Sequence, residues 1–262
     1  MTTTVADRAA DERVLAVVLD RAHARFFDVT AAGAAELSSL HSPAMRGGKF
    51  HSDRQGGPGW GEHDYHDRIR EEERRHHAAI AEQLERLHRL HPTAGLVLAG
   101  PGGAGAALQR ALPATLAERV IGTARLNPTE VTAAVVHAAA TRLQQEHQRD
   151  VEQSMIAALL EGLGTGLAEN GTRAVLRALA KGQVRTLLVR SDVRGAGFRC
   201  AGSGRLVLSP TDCGGEGDPV AVTDIVGEAA AEARRQGATV TVIQDAESFT
   251  AIDGLAALLR FR

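Results

Sequence analysis

Gly95-Leu96-Val97-Leu98-Ala99-Gly100 decides the fold class. An apolar run this short, bounded by glycine and free of polar alternation, is the pattern of a strand buried on both faces, as in a parallel sheet covered by helices. Pro92 ends the element before it, and the glycine-rich turn Gly100-Pro101-Gly102-Gly103-Ala104-Gly105 leads into a short helix predicted around Ala106 to Leu112. That turn superficially resembles a nucleotide-binding loop. No lysine follows as in a P-loop and Pro101 breaks the dinucleotide spacing, so it reads better as a packing turn at a strand end.

Toward the N-terminus, Glu62 to Leu90 places Ile69, Ile80, Leu84 and Leu87 at helical spacings, with Glu71-Glu72-Glu73 followed by Arg74-Arg75. This predicts one long amphipathic helix. Before it runs Gly47-Gly48-Lys49-Phe50-His51-Ser52-Asp53-Arg54-Gln55-Gly56-Gly57-Pro58-Gly59-Trp60-Gly61, a stretch that can fill no core. Its glycines free the backbone, and Lys49, Arg54 and His51 offer positive or ionisable groups beside the only tryptophan. Two readings stand together: a probe for a polyanion, or a solvated insertion without a partner. Further upstream, Val14 to Leu19 is a β-branched apolar run, Arg25 to Val29 its hairpin partner, and Ala34 to Leu40 a third strand.

Toward the C-terminus, Arg119 to Leu126 is a closing strand, and Asn127-Pro128 is the expected domain boundary. A long helix is predicted from Thr129 to about Gly162 and a short one over Thr172 to Ala180. Val184 to Val189, Thr239 to Ile243 and Leu255 to Phe261 read as strands, Asp224 to Gln236 as a helix, and Gly195 to Pro219 as loops around a weak strand at Leu206-Val207-Leu208. The expected organisation is a flexible N-terminus over 1–13, an α/β unit over 14–127 and a second α/β sandwich over 128–262.

Composition excludes several classes. Net charge is -2 with 24% charged residues, so any basic surface is local. No run of about 18 apolar residues exists, and Asp7, Asp11 and Glu12 deny the N-terminus the apolar core of a signal peptide, so no membrane span is expected and the expected compartment is the cytoplasm. There Cys200 and Cys213 read as free thiols rather than a bridge, and they are too few for a four-ligand zinc site. Seven histidines between His51 and His91 invite a metal, but His63 and His66 with Asp64 and Asp67 lack a third ligand and a buried second shell, so no metal is assigned. Asp20 and Asp28, beside the first two strands, are too few to hold catalytic magnesium for a nuclease. Asp245, Glu247 and Ser248 read as a turn cap rather than acid/base groups. No cofactor is expected.

Four strings, taken in order, resemble the archaeo-eukaryotic peptide-chain release factor and Pelota family in its central and C-terminal domains: Gln55-Gly56-Gly57 before a charged helix; Ala94 through Gly100; Ala178-Leu179-Ala180-Lys181-Gly182-Gln183-Val184-Arg185-Thr186-Leu187-Leu188-Val189; and Gly237-Ala238-Thr239-Val240 through Leu258-Leu259-Arg260-Phe261-Arg262. The resemblance covers nearly the whole chain and extends to a bacterial release-factor-like group that includes a ribosome hibernation factor. It implies a ribonuclease-H-like domain followed by an L7Ae-like domain, a loop entering the peptidyl-transferase region from the ribosomal A site, and delivery by a translational GTPase. The chain departs from the family where release factors carry Gly-Gly-Gln. Pro58 follows Gly56-Gly57, and Gln55 precedes them, so the water-positioning glutamine is missing. The resemblance therefore implies occupancy of the ribosome in hibernation, stalling or rescue, without stop-codon decoding.

On this reading the RNA-binding candidates are Lys49, Arg54, Gln55, Gly56, Gly57 and Trp60 of the loop and Arg68, Arg70, Arg74 and Arg75 of the helix. His66, His76 and His77 would assist if protonated. Against this, interleaved Glu71 to Glu73 would neutralise the arginines of a merely solvated helix. Two alternatives remain: a peptidyl-tRNA hydrolase in which Gln55 or His51 orients water, and an RNA-binding module outside translation.

Overall fold

The computed structural model describes residues 13–42, 60–215, 217–245 and 248–262, with side chains of the helix beginning at Trp60 described from residue 67 onward. Two compact units emerge, one ending at His147 and one running from Gln148 to Arg262. Both are α/β, as the sequence predicts. Among the described residues no helix is long and apolar enough to cross a membrane.

The first unit holds β1 (Val14–Leu19), β2 (His23–Thr30), β3 (Gly33–His41), α1 (Trp60–Leu90), β4 (Gly95–Ala99), α2 (Ala104–Ala111), α3 (Ala114–Ala117), β5 (Val120–Ala124) and the start of α4 (Ala133–Thr165). Its five strands lie in the order β3-β2-β1-β4-β5. The β1–β2 and β2–β3 pairs are antiparallel, whereas β4 lies parallel to both β1 and β5. Every residue of β1 is buried because both faces are covered. Leu15, Val17 and Leu19 pack with Ile80 and Leu84 of α1 and Leu108 of α2, while Val14, Ala16 and Val18 pack with Val136, Ala140 and Leu143 of α4. The alternation follows from the two-residue period of a strand. Close approach explains the glycine turn after β4: a Cβ on Gly100 would lie 2.5 Å from the Leu19 carbonyl oxygen, and one on Gly105 2.8 Å from that of Leu98. It is a packing turn.

The second unit continues from α4 with β6 (Ala168–Asn170), α5 (Thr172–Ala180), β7 (Val184–Arg190), β8 (Gly197–Cys200), β9 (Leu206–Val207), β10 (Pro219–Val222), α6 (Ile225–Arg235), β11 (Thr239–Ile243) and β12 (Leu255–Leu259). Four strands form a mixed sheet in the order β11-β7-β12-β6. Leu187, Val189, Leu255 and Ala257 face Val175 and Leu179 of α5 and Ala229 and Ala233 of α6. Leu188, Ala256 and Leu258 point to the other face, against Leu159 of α4. Glu152 of α4 is buried, and its carboxylate accepts from the amides of Gln244 (3.1 Å) and Asp245 (2.9 Å) beyond β11.

Several expectations are corrected. The stretch from Gly195 to Pro219 is not only loops: β8 pairs with β9 and β10 in a separate three-stranded sheet, hidden from sequence by its glycines and the shortness of each strand. Cys200 and Cys213 are not free thiols but a disulfide, because the β8–β9 turn and the 3-10 turn Pro210–Cys213 bring their Cα atoms to 5.5 Å, within bridging range. Both are buried with Val207 and Phe198 packed around them. α4 starts at Ala133 rather than Thr129, since Asn127 holds a turn whose side-chain oxygen accepts from the Thr129 amide (3.2 Å) and hydroxyl (2.9 Å). The edge strand β6, missed in sequence, pairs antiparallel with β12.

Candidate nucleic-acid interface

α1 is the element that carries the candidate interface. It has 31 residues, and its C-terminal half is fastened to the sheet. His76, His77, Ile80, Ala81, Gln83 and Leu84 are buried, whereas none of Asp67 to Arg75 is. Trp60 therefore stands ~24 Å along the helix axis from His76, at 1.5 Å per residue. The unburied stretch Asp67 to Arg75 bears the arginines.

Arg68 is exposed and makes no ion pair with a described residue. Arg70 lies 3.4 Å from Asp67 one turn back. Arg74 and Arg75 converge on Glu71, each with Nε at 2.8 Å from a carboxylate oxygen. Hydrogen bonds from Arg74 and then Arg75 hold the Glu71 carboxyl down to about 2. All these groups are exposed, so their mutual attraction is weak and screened by salt. The same guanidiniums can turn to phosphate oxygens without breaking any buried contact. Over residues 67–75 four arginines meet four acids, which makes the face balanced rather than basic.

The base of this arm is a polar knot at the end of β1. Asp20 Oδ1 accepts from the amides of Ala22 (2.8 Å) and His23 (2.7 Å), closing the β1–β2 turn. Burial pushes the Asp20 carboxyl up, but those amides and the His23 ring outweigh it and hold it below the ordinary aspartate value. His76 Nε2 lies 3.1 Å from the Asp20 carbonyl oxygen, which can only accept, so this nitrogen carries the proton. Nδ1 of the neutral ring then accepts from the Ser42 hydroxyl at 2.8 Å. Burial lowers the His76 and His77 pKa values, in keeping with neutral rings. Ser42 is further tied by its amide to the Ala22 carbonyl oxygen (2.7 Å), and Gln83 donates to the Ser38 hydroxyl (2.8 Å) of β3. The last described residue before position 43 is thus pinned to the middle of α1.

The predicted residues divide accordingly. Arg68, Arg70, Arg74 and Arg75 share the exposed half of α1. Lys49, His51, Arg54, Gln55, Gly56 and Gly57 lie outside the described residues, and Trp60 opens α1 with its side chain outside them. His76 and His77 do not join the phosphate-facing set, because they are buried against the sheet side of the helix. A signal for this was present in sequence: His76 stands four residues before Ile80 and eight before Leu84, on the apolar stripe. Asp20 and Asp28 do not converge either. The first closes the β1–β2 turn, while the second sits opposite Leu15 at 3.0 Å from Arg13. Among the described residues no group of three or more His, Cys, Asp or Glu is arranged to hold a metal. Asp245 accepts from the amide (3.3 Å) and hydroxyl (3.1 Å) of Ser248, the expected turn cap.

Comparison with solved structures places the fold. A structure of ribosome-bound archaeal Pelota and ABCE1 matches with a TM-score of 0.57 at 23% identity, covering 97% of this chain and 64% of the other. Dom34 of S. cerevisiae, a translation termination-like factor involved in RNA quality control pathways and interacting with Hbs1, matches with a TM-score of 0.56 at 14% identity, covering 95% and 63%. The chain thus spans less than two thirds of the length of either. No curated protein sequence matches it significantly. The model of bacterial archaeo-eukaryotic release factor family 2 matches residues 13–165, more than half of the sequence and all the described residues of the unit that bears α1. The chain belongs to bacterial archaeo-eukaryotic release factor family 2.

Proposed function

We propose that this protein is a cytoplasmic, non-decoding ribosome-binding factor that places residues 47–61 near the peptidyl-transferase centre and acts by occupancy, in hibernation, stalling or rescue. The observation that carries the reading is α1: its stretch Asp67 to Arg75 is unburied and bears four exposed arginines, and the helix is preceded by the glycine-rich run in a chain of the release-factor type. A helix held by its C-terminal half and pinned at His76 suits a probe that must reach into a narrow site. Exposed, salt-screened arginine pairs supply phosphate contacts without a folding cost. Pro58 in place of the catalytic glutamine argues for binding without ester hydrolysis. The resemblance to the Pelota group adds a translational GTPase as the proposed delivery partner.

Co-sedimentation with 70S ribosomes in low salt tests the proposal. Recovery that falls on charge reversal of Arg68 and Arg70 is expected, and no recovery at all overturns it. Release of labelled peptide from programmed ribosomes separates occupancy from hydrolysis. Turnover that disappears in Gln55→Ala would establish the enzyme instead.

A further inference from the structure

The second unit gathers cations at one end of its sheet, which its sequence does not announce. β11 runs parallel to β7 and β12 antiparallel to it, so the start of β7, the start of β11 and the end of β12 meet at one end of the sheet. The last turns of α5 and α6 close on the same end: the Gln236 side chain donates to the Leu179 carbonyl oxygen (2.9 Å), Arg260 donates to that of Gln236 (2.9 Å), and the Arg260 amide to that of Gln183 (2.8 Å). This pole therefore gathers Arg177, Lys181, Arg185, Arg234, Arg260 and Arg262, all exposed. Of these, Arg177, Lys181, Arg185, Arg234 and Arg262 make no ion pair with a described residue. A seventh cation, Arg235, is paired with Glu232. At the opposite end of the sheet acids and arginines are mixed: Asp192, Asp224, Asp245 and Asp253 stand with Arg173, Arg190 and Arg194, and Arg190 is paired with Asp192.

Helix C-termini attract cations by their dipoles, which accounts for Arg177, Lys181, Arg234 and Arg235 in or just beyond the last turns of α5 and α6. It does not account for Arg185, on β7, or for Arg260 and Arg262, at and after the end of β12. Between the last two lies Phe261, 53% exposed. An aromatic ring left in solvent between two arginines suits stacking on an unpaired base while the guanidiniums neutralise its flanking phosphates. An acidic peptide would use the charge and leave the ring idle.

We propose that this pole is a second RNA-binding surface, taking a single-stranded or looped segment by phosphate contacts with Phe261 stacked on a base. It lies outside the residues matched by the family model, and it does not rest on the ribosome-binding reading, since free RNA tests it. The test is fluorescence anisotropy of the full chain with an unstructured, labelled twelve-nucleotide RNA over a salt series. Replacing Lys181, Arg185 and Arg262 together by alanine is expected to flatten the log–log salt slope by about 2, at about 0.7 per phosphate contact of a single strand. Phe261→Ala is expected to weaken binding about tenfold with the slope unchanged, because stacking carries no counterion release. Thermal unfolding of each variant checks that these exposed changes leave the fold intact, and Lys181→Ala alone, expected to cost about 0.7 of slope, serves if the triple variant does not fold. The proposal is overturned if wild type fails to bind at 50 mM salt, if the triple variant binds with unchanged affinity and slope while Lys49→Ala/Arg54→Ala abolishes binding, or if polyglutamate displaces the RNA as well as unlabelled RNA does.

Discussion

His76→Ala tests the polar knot that fastens α1 to the strand layer. The ring is buried and bridges two elements, accepting from the Ser42 hydroxyl and donating to the Asp20 carbonyl oxygen. Each lost bond costs about 0.5–1.5 kcal/mol, and stranding the half-buried carbonyl oxygen of Asp20 with a cavity left by the buried ring raises the total to about 3 kcal/mol. Acid adds a second signature. Burial lowers the folded pKa of His76 from its ordinary 6.5, so its stabilising contribution is complete above that value and is lost as pH falls through and below it, where the unfolded chain takes up the proton first. His77 has the same sign and remains in the variant. Native-state hydrogen exchange of the β1 and β4 amides reports the stability of this unit alone. Wild type should lose protection between pH 7.5 and 5.5, and His76→Ala should start about 3 kcal/mol lower with a shallower decline. A cost below about 1 kcal/mol, or an equally steep decline in the variant, would refute the assignment of a neutral bridging ring.

Glu71→Gln releases Arg74 and Arg75 from their shared carboxylate, so ribosome co-sedimentation should persist to higher salt than for wild type; weaker recovery would show that the pairing itself organises the helix. Glu152→Ala leaves the amides of Gln244 and Asp245 without their acceptor inside the second unit and should lower its denaturation free energy by about 3 kcal/mol in urea. Opening the Cys200–Cys213 bridge, which closes a separation of 13 residues, should cost about 3 kcal/mol by chain entropy, read as a lower melting temperature in reductant that a Cys200→Ser/Cys213→Ser variant no longer shows.

The strands most visible in sequence were those buried on both faces, because an unbroken apolar run needs no partner to be recognised. Gly95 to Ala99 and Val14 to Leu19 are of this kind, and each lies within one residue of its expected bounds. Strands whose stability comes from cross-strand pairing were harder to see. Gly197–Cys200 has one aromatic and two small termini, and only its pairing with Leu206–Val207 and Pro219–Val222 makes it a strand. The disulfide was lost with it, since bridging depends on a Cα separation that sequence spacing does not supply. On α1, the arginines were legible as a charged face, but their convergence on Glu71 and the burial of His76 needed the helix placed against β1.

Local sequence alone determined the α/β class, the long charged helix, the missing glutamine after Gly56-Gly57 and the family, because these depend on short-range periodicity and on residue identity. Tertiary structure decided where charge ends up. Arg185, Arg234 and Arg262 are up to 77 residues apart in the chain, yet β7, α6 and the end of β12 bring them to one pole, since the parallel and antiparallel pairing of a sheet sends distant segments to a common edge. Burial, likewise, is a property of the packed layers: two histidines that any charge count would place among the phosphate contacts become neutral once α1 lies on β1.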